Sequence, residues 1–332
     1  MSFQALVVED GSPRASVKNL SMEDLPRHGN VRVRVDWSSI NFKDALAVTG
    51  KGRIIRSELP FVPGIDLAGT VMESDDPEFP VGSAFLSTGW GVGEATWGGY
   101  SRYQRMSSDW LVPLPEGLST RESMIVGTAG FTAMLSLQAI QDHGLPPESG
   151  PVLVTGATGG VGSFSVLLLA AAGYEVAAVT GKPEAEPYLK SLGAYSVIPR
   201  SAFEDGAVRP MDSGDWAGCV DSVGARVLEA VLSRTMRHGV IAACGLAGGH
   251  ELNTTVFPFI LRGVRLIGID SNTWPQPERR RAWDGLRDLA RKVDFERLAH
   301  TVSLEEVPQA CEKLMSGGIQ GRYVVDLRHA GD

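Results

Sequence analysis

Cysteine is scarce in this chain, with only Cys219, Cys244 and Cys311 among 332 residues. An odd, widely spaced set excludes a disulfide framework and points to a reducing compartment, the cytoplasm. There is no Cys-x2-Cys pair, and His28, His143, His238, His250, His300 and His329 stand apart with no His-x3-His spacing. Catalytic zinc takes three protein ligands and structural zinc usually four cysteines, so the expectation is a protein that works with no metal. Long apolar runs are missing as well: the longest, Val166 to Ala172, has seven residues against ~20 for a membrane span. The opening MSFQALVVED has no basic stretch and reaches Glu9 and Asp10 at once, unlike a secretory signal. Basic charge is in deficit, 31 Lys and Arg against 39 Asp and Glu, a net charge of −8. A nucleic-acid partner is therefore not expected, because phosphate tracking needs a basic face, and a small anionic ligand would need a local cluster.

Glycine, by contrast, is abundant at 39 residues of 332, well above the usual ~7%, which implies many tight turns or close backbone approaches. The length suggests about two domains. The first ~120 residues read as β-rich, with scarce helical periodicity. Val31, Val33 and Val35 alternate with Arg32, Arg34 and Asp36, the period of a half-buried strand. Similar short runs lie at 61–71, 83–87 and 100–106. A helix is expected from an N-cap at Ser119-Thr120 to Ile140. From Pro151 the pattern changes to short β-branched runs at 152–154, 176–179, 197–198, 217–220, 240–243 and 266–269, several separated by helix-compatible stretches. That alternation predicts a doubly wound parallel sheet, an α/β fold. An amphipathic stretch at 279–292 and a strand at 323–327 follow.

The strongest motif is VLVTGATGGVG, followed at once by SFSVLLLAAAG. A buried strand enters a glycine-rich turn and an apolar helix begins, so the helix N-terminus and close backbone can take a pyrophosphate. The spacing G-x-x-G-G-x-G is a variant of the dinucleotide fingerprint. The tip of the second strand chooses the cofactor. An acid there would hold the ribose 2′-hydroxyl of NAD, but this strand ends Thr180-Gly181-Lys182, and Arg200 follows the next strand. Thr180 offers a hydroxyl, Gly181 room, and Lys182 and Arg200 positive charge, a pattern that favours the 2′-phosphate of NADPH. The ordinary alternative for Lys182 and Arg200 is solvated surface charge.

A β-rich half joined to a dinucleotide-binding half raises the medium-chain dehydrogenase layout, and specific segments extend the likeness. NFKDALAVTGKG, PFVPGIDLAGTV, TGWGVGEATWGGY, GTAGFTAM, YLKSLGA and AACGLAGG resemble the zinc-free, quinone-reductase-like medium-chain reductases, above all their acrylyl-CoA reductase subgroup. The resemblance covers nearly the whole chain. It implies a GroES-like β-rich catalytic domain over 1–121, a Rossmann NADPH-binding domain over 122–272, and a return to the catalytic domain over 273–332. It also implies a homodimer and reduction of an activated C=C bond. Cofactor contacts carried over from the family fall on Thr158, Gly159, Gly160, Val161, Thr180, Gly181, Lys182, Arg200, Leu246, Ile260 and Ser271. Phe42 stands where relatives commonly have tyrosine, so it is retained as an apolar cofactor contact and not as an acid.

The implied chemistry is conjugate reduction of a short α,β-unsaturated acyl-CoA, acryloyl-CoA giving propanoyl-CoA. Asn41 is the candidate polar group for the developing enolate oxygen, since an amide donates with no ionisation; an ordinary turn residue is the alternative. Coenzyme A brings phosphates, and Lys51, Arg53 and Arg56 in KGRIIR form the candidate cluster for them, with Lys43 upstream in the same domain, against the usual reading of a charge run as a solvated face. Trp90, Trp97 and Trp274 lie near glycine- or proline-rich loops and fit either a ligand lining or simple packing. An NADPH-dependent quinone or enone reductase shares the fold and hydride step but needs no such cluster. A cofactor-binding structural or RNA-associated protein would keep the glycine loop with no turnover, and the acidic balance counts against the RNA version.

Overall fold

The computed structural model describes residues 2–330. The chain forms two units, one built from the residues up to Thr128 together with those from Asn272 onward, the other from Ala129–Ser271. In the first, β1 (Ser2–Val8) and β2 (Ala15–Ser21) pair antiparallel. The main sheet of this unit is built on β3 (Val31–Ile40), where Val31, Val33 and Val35 are buried and the alternating Arg32, Arg34 and Asp36 are half-buried. After α1 (Phe42–Thr49) come β4 (Asp66–Ser74), β5 (Ala84–Thr88), β6 (Tyr103–Met106) and β7 (Val112–Pro113). The chain returns late to complete the same sheet.

Helix α2 (Thr120–Asp142) starts where the sequence predicts. Ser119 N–H donates to the Glu122 carboxylate (2.8 Å) and Glu122 N–H to Ser119 Oγ (3.1 Å), a reciprocal capping box. At Gly127 the helix breaks, with φ 49° and ψ −158°. It is long and apolar enough to cross a membrane, yet 83% of its most apolar window is buried in the fold. Core packing accounts for its composition.

The second unit alternates strand and helix: β8 (Val152–Val154), α3 (Gly160–Ala171), β9 (Val176–Thr180), α4 (Glu186–Ser191), β10 (Ser196–Pro199), α5 (Ser201–Glu204), β11 (Trp216–Asp221), α6 (Ala225–Ser233), β12 (Thr235–Ala243), α7 (Phe257–Arg262) and β13 (Arg265–Gly268). All neighbours are parallel, in the order β10-β9-β8-β11-β12-β13. That is the doubly wound dinucleotide-binding order, whose switch point lies between β8 and β11. Back in the first unit, α8 (Gln276–Ala290), β14 (Ala299–Ser303), α9 (Val307–Met315) and β15 (Arg322–Asp326) follow, and β15 pairs antiparallel with β3. Helix α1, the β1–β2 pair, β14 and α9 are not among the elements expected from the sequence.

Gly162 shows why the glycine loop needs its glycines. A Cβ there would lie 2.2 Å from Gly156 O and 2.6 Å from Ala157 Cα, backbone atoms that cannot swing aside. Gly162→Ala is therefore expected to destabilise the second unit by about 1–3 kcal/mol through overpacking, read as a lower unfolding temperature by calorimetry. An unchanged transition would mean that the strand–helix approach is not tight.

Candidate active site

Five parts of the first unit meet at one buried polar knot. Asp66, the first residue of β4, is fully buried. Its carboxylate accepts from Ser39 Oγ (2.6 Å), Asn41 Nδ2 (2.7 Å), Thr128 N–H (2.9 Å) and Thr128 Oγ1 (2.5 Å). Arg322, at the start of β15 and 4% exposed, faces it with Nη2 3.7 Å from Oδ2. The same guanidinium donates to Ile40 O (3.2 Å), Asn41 Oδ1 (3.0 Å), Ser39 Oγ (2.8 Å) and Ile125 O (3.1 Å). The break at Gly127 permits this closeness, since a Cβ there would sit 2.5 Å from Asp66 Oδ2 and 2.8 Å from Arg322 Nη2.

Asn41 is the N-cap residue of α1 and has a different role from the one its sequence position suggests. Its amide nitrogen is spent on Asp66 and on Asp44 Oδ2 (3.2 Å), its oxygen on Arg322, and the residue is 8% exposed. It is a link in the knot, not a donor aimed at a substrate oxygen. Phe42 follows it as the first residue of α1, about half exposed and apolar, available as a contact surface.

The basic cluster also divides. Lys51 pairs with Glu312 (2.7 Å), whereas Arg56 pairs with the buried Glu94 (3.0 Å), which Lys43 also reaches (2.7 Å). Arg53 is exposed. Lys51 and Arg56 are thus engaged by different acids. Trp90, held at φ 60°, lies under the buried Arg279 guanidinium at 5.0 Å, and both Trp90 and Trp97 pack on the core. Trp274 lends its carbonyl oxygen to Arg279 Nε (3.3 Å).

In the second unit, the carboxyl ends of the strands gather the cofactor candidates. Thr158 is 8% exposed, so the turn offers its backbone more than that side chain, and Gly159 is exposed. No side chain caps α3 at Gly159, and the first turn runs through Gly160 and Val161. The uncapped N-terminus of this 12-residue helix suits a pyrophosphate. At the switch point Thr155 Oγ1 donates to Asp221 (2.6 Å), and Ser222 Oγ donates to Thr155 O (2.9 Å), locking the turn after β8 to that after β11. Burial holds the Asp221 carboxyl above its ordinary range.

Thr180, Gly181, Lys182 and Arg200 converge at the end of β9. Lys182 N–H donates to Thr180 Oγ1 (3.0 Å) and Arg200 N–H to Thr180 O (2.9 Å). The Arg200 guanidinium covers Gly181, where a Cβ would meet its Cζ at 3.2 Å. Its pairing with Glu204 (2.9 Å) joins two half-exposed groups, an interaction worth ~0–1 kcal/mol and easily exchanged for a phosphate. Leu246 lies in the loop after β12, which rests on the turn after β11 through Ala247 N–H to Ser222 O (3.4 Å) and Gly248 N–H to Val223 O (2.8 Å). Ser271 follows β13. Ile260 differs: it is 69% exposed on α7, whose end is tied by Arg262 to Ser233 O (3.1 Å) and Thr235 O (2.8 Å) at the amino end of β12.

Among the described residues no group of three or more His, Cys, Asp and Glu side chains is placed to hold a metal ion. The cysteines are unpaired, and burial raises all three thiols, Cys244 to about 12. The residues therefore fit a dinucleotide and do not fit zinc.

A profile described as alcohol dehydrogenase GroES-like domain matches residues 27–116, and one described as zinc-binding dehydrogenase matches 160–292. The acrylyl-CoA reductase AcuI of Ruegeria pomeroyi is 50% identical over 98% of this chain and 99% of its own. The chain belongs to the acrylyl-CoA reductase subgroup of the medium-chain dehydrogenase/reductase superfamily. The yhdH oxidoreductase of Salmonella enterica, crystallised in complex with NADP, superposes with a TM-score of 0.95 at 49% identity, covering 98% of this chain and 100% of that one. Bacillus subtilis yhfP, solved with NAD bound, gives a TM-score of 0.93 at 44% identity with the same coverage. The subgroup's segments PFVPGIDLAGTV and GTAGFTAM contain Asp66, Gly127 and Thr128, so in this chain they build the knot.

Sequence reasoning singled out Asn41 but not Asp44, Asp66, Thr128 or Arg322. A readable signal existed for Asp66, a lone carboxylate in an apolar run. Arg322 lies 283 residues beyond Ser39 and carries no local signal.

Asp44 gives the knot a pH dependence. It is buried and accepts from Asn41 N–H (2.8 Å) and Ile65 N–H (2.9 Å). Burial, then the neighbouring Asp66, raise its carboxyl to about 7. The folded state thus holds a proton that the unfolded chain releases earlier. Its stabilising effect is complete below the ordinary carboxylate range and is lost as pH climbs to about 7. Asp44→Asn cannot lose that proton. From about pH 4 to about pH 7, the stability of wild type relative to the variant is expected to fall by roughly 1.4 kcal/mol for each pH unit. Chemical unfolding across that range checks it, and parallel curves would show that Asp44 holds no extra proton.

Proposed function

We propose that this protein is an NADPH-dependent acryloyl-CoA reductase. The observation that carries the reading is similarity over 98% of the chain to an acrylyl-CoA reductase, joined to a β9 tip of Thr180, Gly181 and Lys182 that carries no carboxylate and has Arg200 beside it. When bound, NADPH supplies the hydride that adds to the β-carbon of the acyl group. The backbone of Thr158–Val161 holds the pyrophosphate at the start of α3. Thr180 Oγ1 accepts the Lys182 N–H and so keeps its own proton to donate to the 2′-phosphate. Arg200 and Lys182 supply the opposing charge. The knot around Asp66 holds Asn41, and through it the start of α1, so that Phe42 presents a fixed apolar face. Charge developing on the thioester oxygen is resolved when water supplies a proton to the α-carbon.

The working unit is a homodimer in the cytoplasm. Strand β13 is the last in its sheet, and the neighbouring α7 exposes Phe257, Ile260 and Leu261. An unpaired edge with apolar residues beside it favours pairing with a second copy. Light scattering is expected to give twice the 35.5 kDa chain mass; a monomer at micromolar concentration overturns this assembly.

Cofactor and substrate are tested together. NADPH is expected to exceed NADH in kcat/KM at least tenfold, and Lys182→Asp to narrow that ratio by setting a carboxylate against the phosphate. Acryloyl-CoA is expected to exceed a benzoquinone by tenfold or more with the same enzyme. A quinone favoured tenfold would replace the thioester reading with a quinone reductase.

A further inference from the structure

Glu94 is a buried acid that the reaction itself does not require. It lies in the loop between β5 and β6, where Gly89, Trp90, Gly91 and Gly93 all adopt positive φ, at 82°, 60°, 74° and 74°. Trp90 is the informative member, because a bulky side chain is rarely held in that region. The loop is also fixed from outside, since Trp90 N–H donates to Asn272 O (2.9 Å).

This rigid loop presents Glu94, 7% exposed, to two cations from different parts of the unit. Oε1 takes Lys43 Nζ from α1 (2.7 Å), and Oε2 takes Arg56 Nη2 (3.0 Å). The backbone repeats the link, with Arg56 N–H donating to Glu94 O (2.7 Å). The two cationic side chains stay 43% and 57% exposed while the acid side chain is 9% exposed. The group therefore holds two partly exposed cationic side chains on one hidden negative charge. Exposed Arg53 is three residues from Arg56, whereas Lys51 is engaged by Glu312 on α9.

Long cationic side chains lose rotamer freedom when they meet a phosphate, and an acid that fixes them beforehand removes part of that cost. Resting on the acyl-CoA reading above, we infer that Glu94 is the positioning residue for a Lys43–Arg56 pair that receives the phosphates of the substrate's coenzyme A. Lys43 replaces Lys51 in the cluster suggested by sequence. Binding energy from this remote part of the substrate then favours the thioester carrying the full carrier over a truncated one.

The test is the ratio of kcat/KM for acryloyl-CoA to that for its N-acetylcysteamine thioester, measured in one preparation of each enzyme so that any loss of folded protein cancels. Lys43→Gln and Arg56→Gln are each expected to lower the ratio about tenfold, chiefly through KM for acryloyl-CoA. Glu94→Gln makes the decisive comparison. It leaves the patch one charge more positive, so an acid that merely weakens the patch would raise the ratio on removal. A positioning acid lowers it, and a fall of fivefold or more is expected. An unchanged or higher ratio in Glu94→Gln overturns its positioning role, and unchanged ratios in Lys43→Gln and Arg56→Gln overturn the phosphate site. A wild type that reduces both thioesters equally overturns this inference alone. One that reduces neither overturns the acyl-CoA reading with it.

Discussion

Asp66 is the constraint around which the first unit is arranged. A carboxylate with no exposure is stable only if its lone pairs are met by donors and a cation. Meeting that demand draws in the end of β3, the cap of α1, the break in α2 and the first residue of β15. Each contributor is there for a local reason. Ser39 lies near the end of a strand that pairs with β15, and Arg322 opens β15 itself. Thr128 can offer both backbone and hydroxyl only because Gly127 turns the chain in a conformation that side chains avoid. The late return of the chain to this unit is thus more than an added strand. It brings the guanidinium without which the acid at the centre would be unpaired.

The second unit solves a different problem, how backbone can approach a large anion. Helix α3 begins with no side-chain cap, its glycines let strand and helix close to van der Waals distance, and the switch between β8 and β11 opens beside it. Thr180, Gly181, Lys182 and Arg200 converge at the end of β9. They are joined by backbone hydrogen bonds from Lys182 and Arg200 to Thr180, so the tip's geometry is set before any phosphate arrives. The Arg200 side chain, paired with Glu204, would exchange that partner for the phosphate.

The parallel sheet was legible because its inner strands β8, β9 and β11 are almost wholly buried and read as short apolar runs, bounded by glycine, proline or aspartate. The helix from Thr120 was legible because capping is local chemistry within four residues. Helix α1 was not: at eight residues it shows barely two turns of periodicity, and its position is fixed by the contact of Asn41 with Asp66. The same distinction runs through the site. Strand-tip residues follow from fold order, so the meeting of Thr180, Lys182 and Arg200 at the end of β9 was readable. The knot depends on pairings across the whole sheet, and Asn41 seen alone looked like a donor waiting for a substrate. Lys51 looked like Arg56 for the same reason, until Glu312 and Glu94 separated them.

That reassignment of Asn41 bears on substrate choice. Reducing a C=C bond by hydride leaves charge on the adjoining carbonyl oxygen, and something must accept it. Here the amide of Asn41 faces inward and the residues near it do not compose a zinc site. A substrate that can bring its own activation lightens that demand. Free acrylate cannot, because its carboxylate is already negative, whereas a thioester delocalises the new charge into a neutral carbonyl. The thioester's carrier adds a second advantage, a distant polyanion whose binding can fix the β-carbon in place. A chain with net charge −8 would repel that polyanion on average. The cations that counter this repulsion must be local and held in place, and α1 supplies one of them, Lys43, two residues beyond the knot that fixes the helix's first turn.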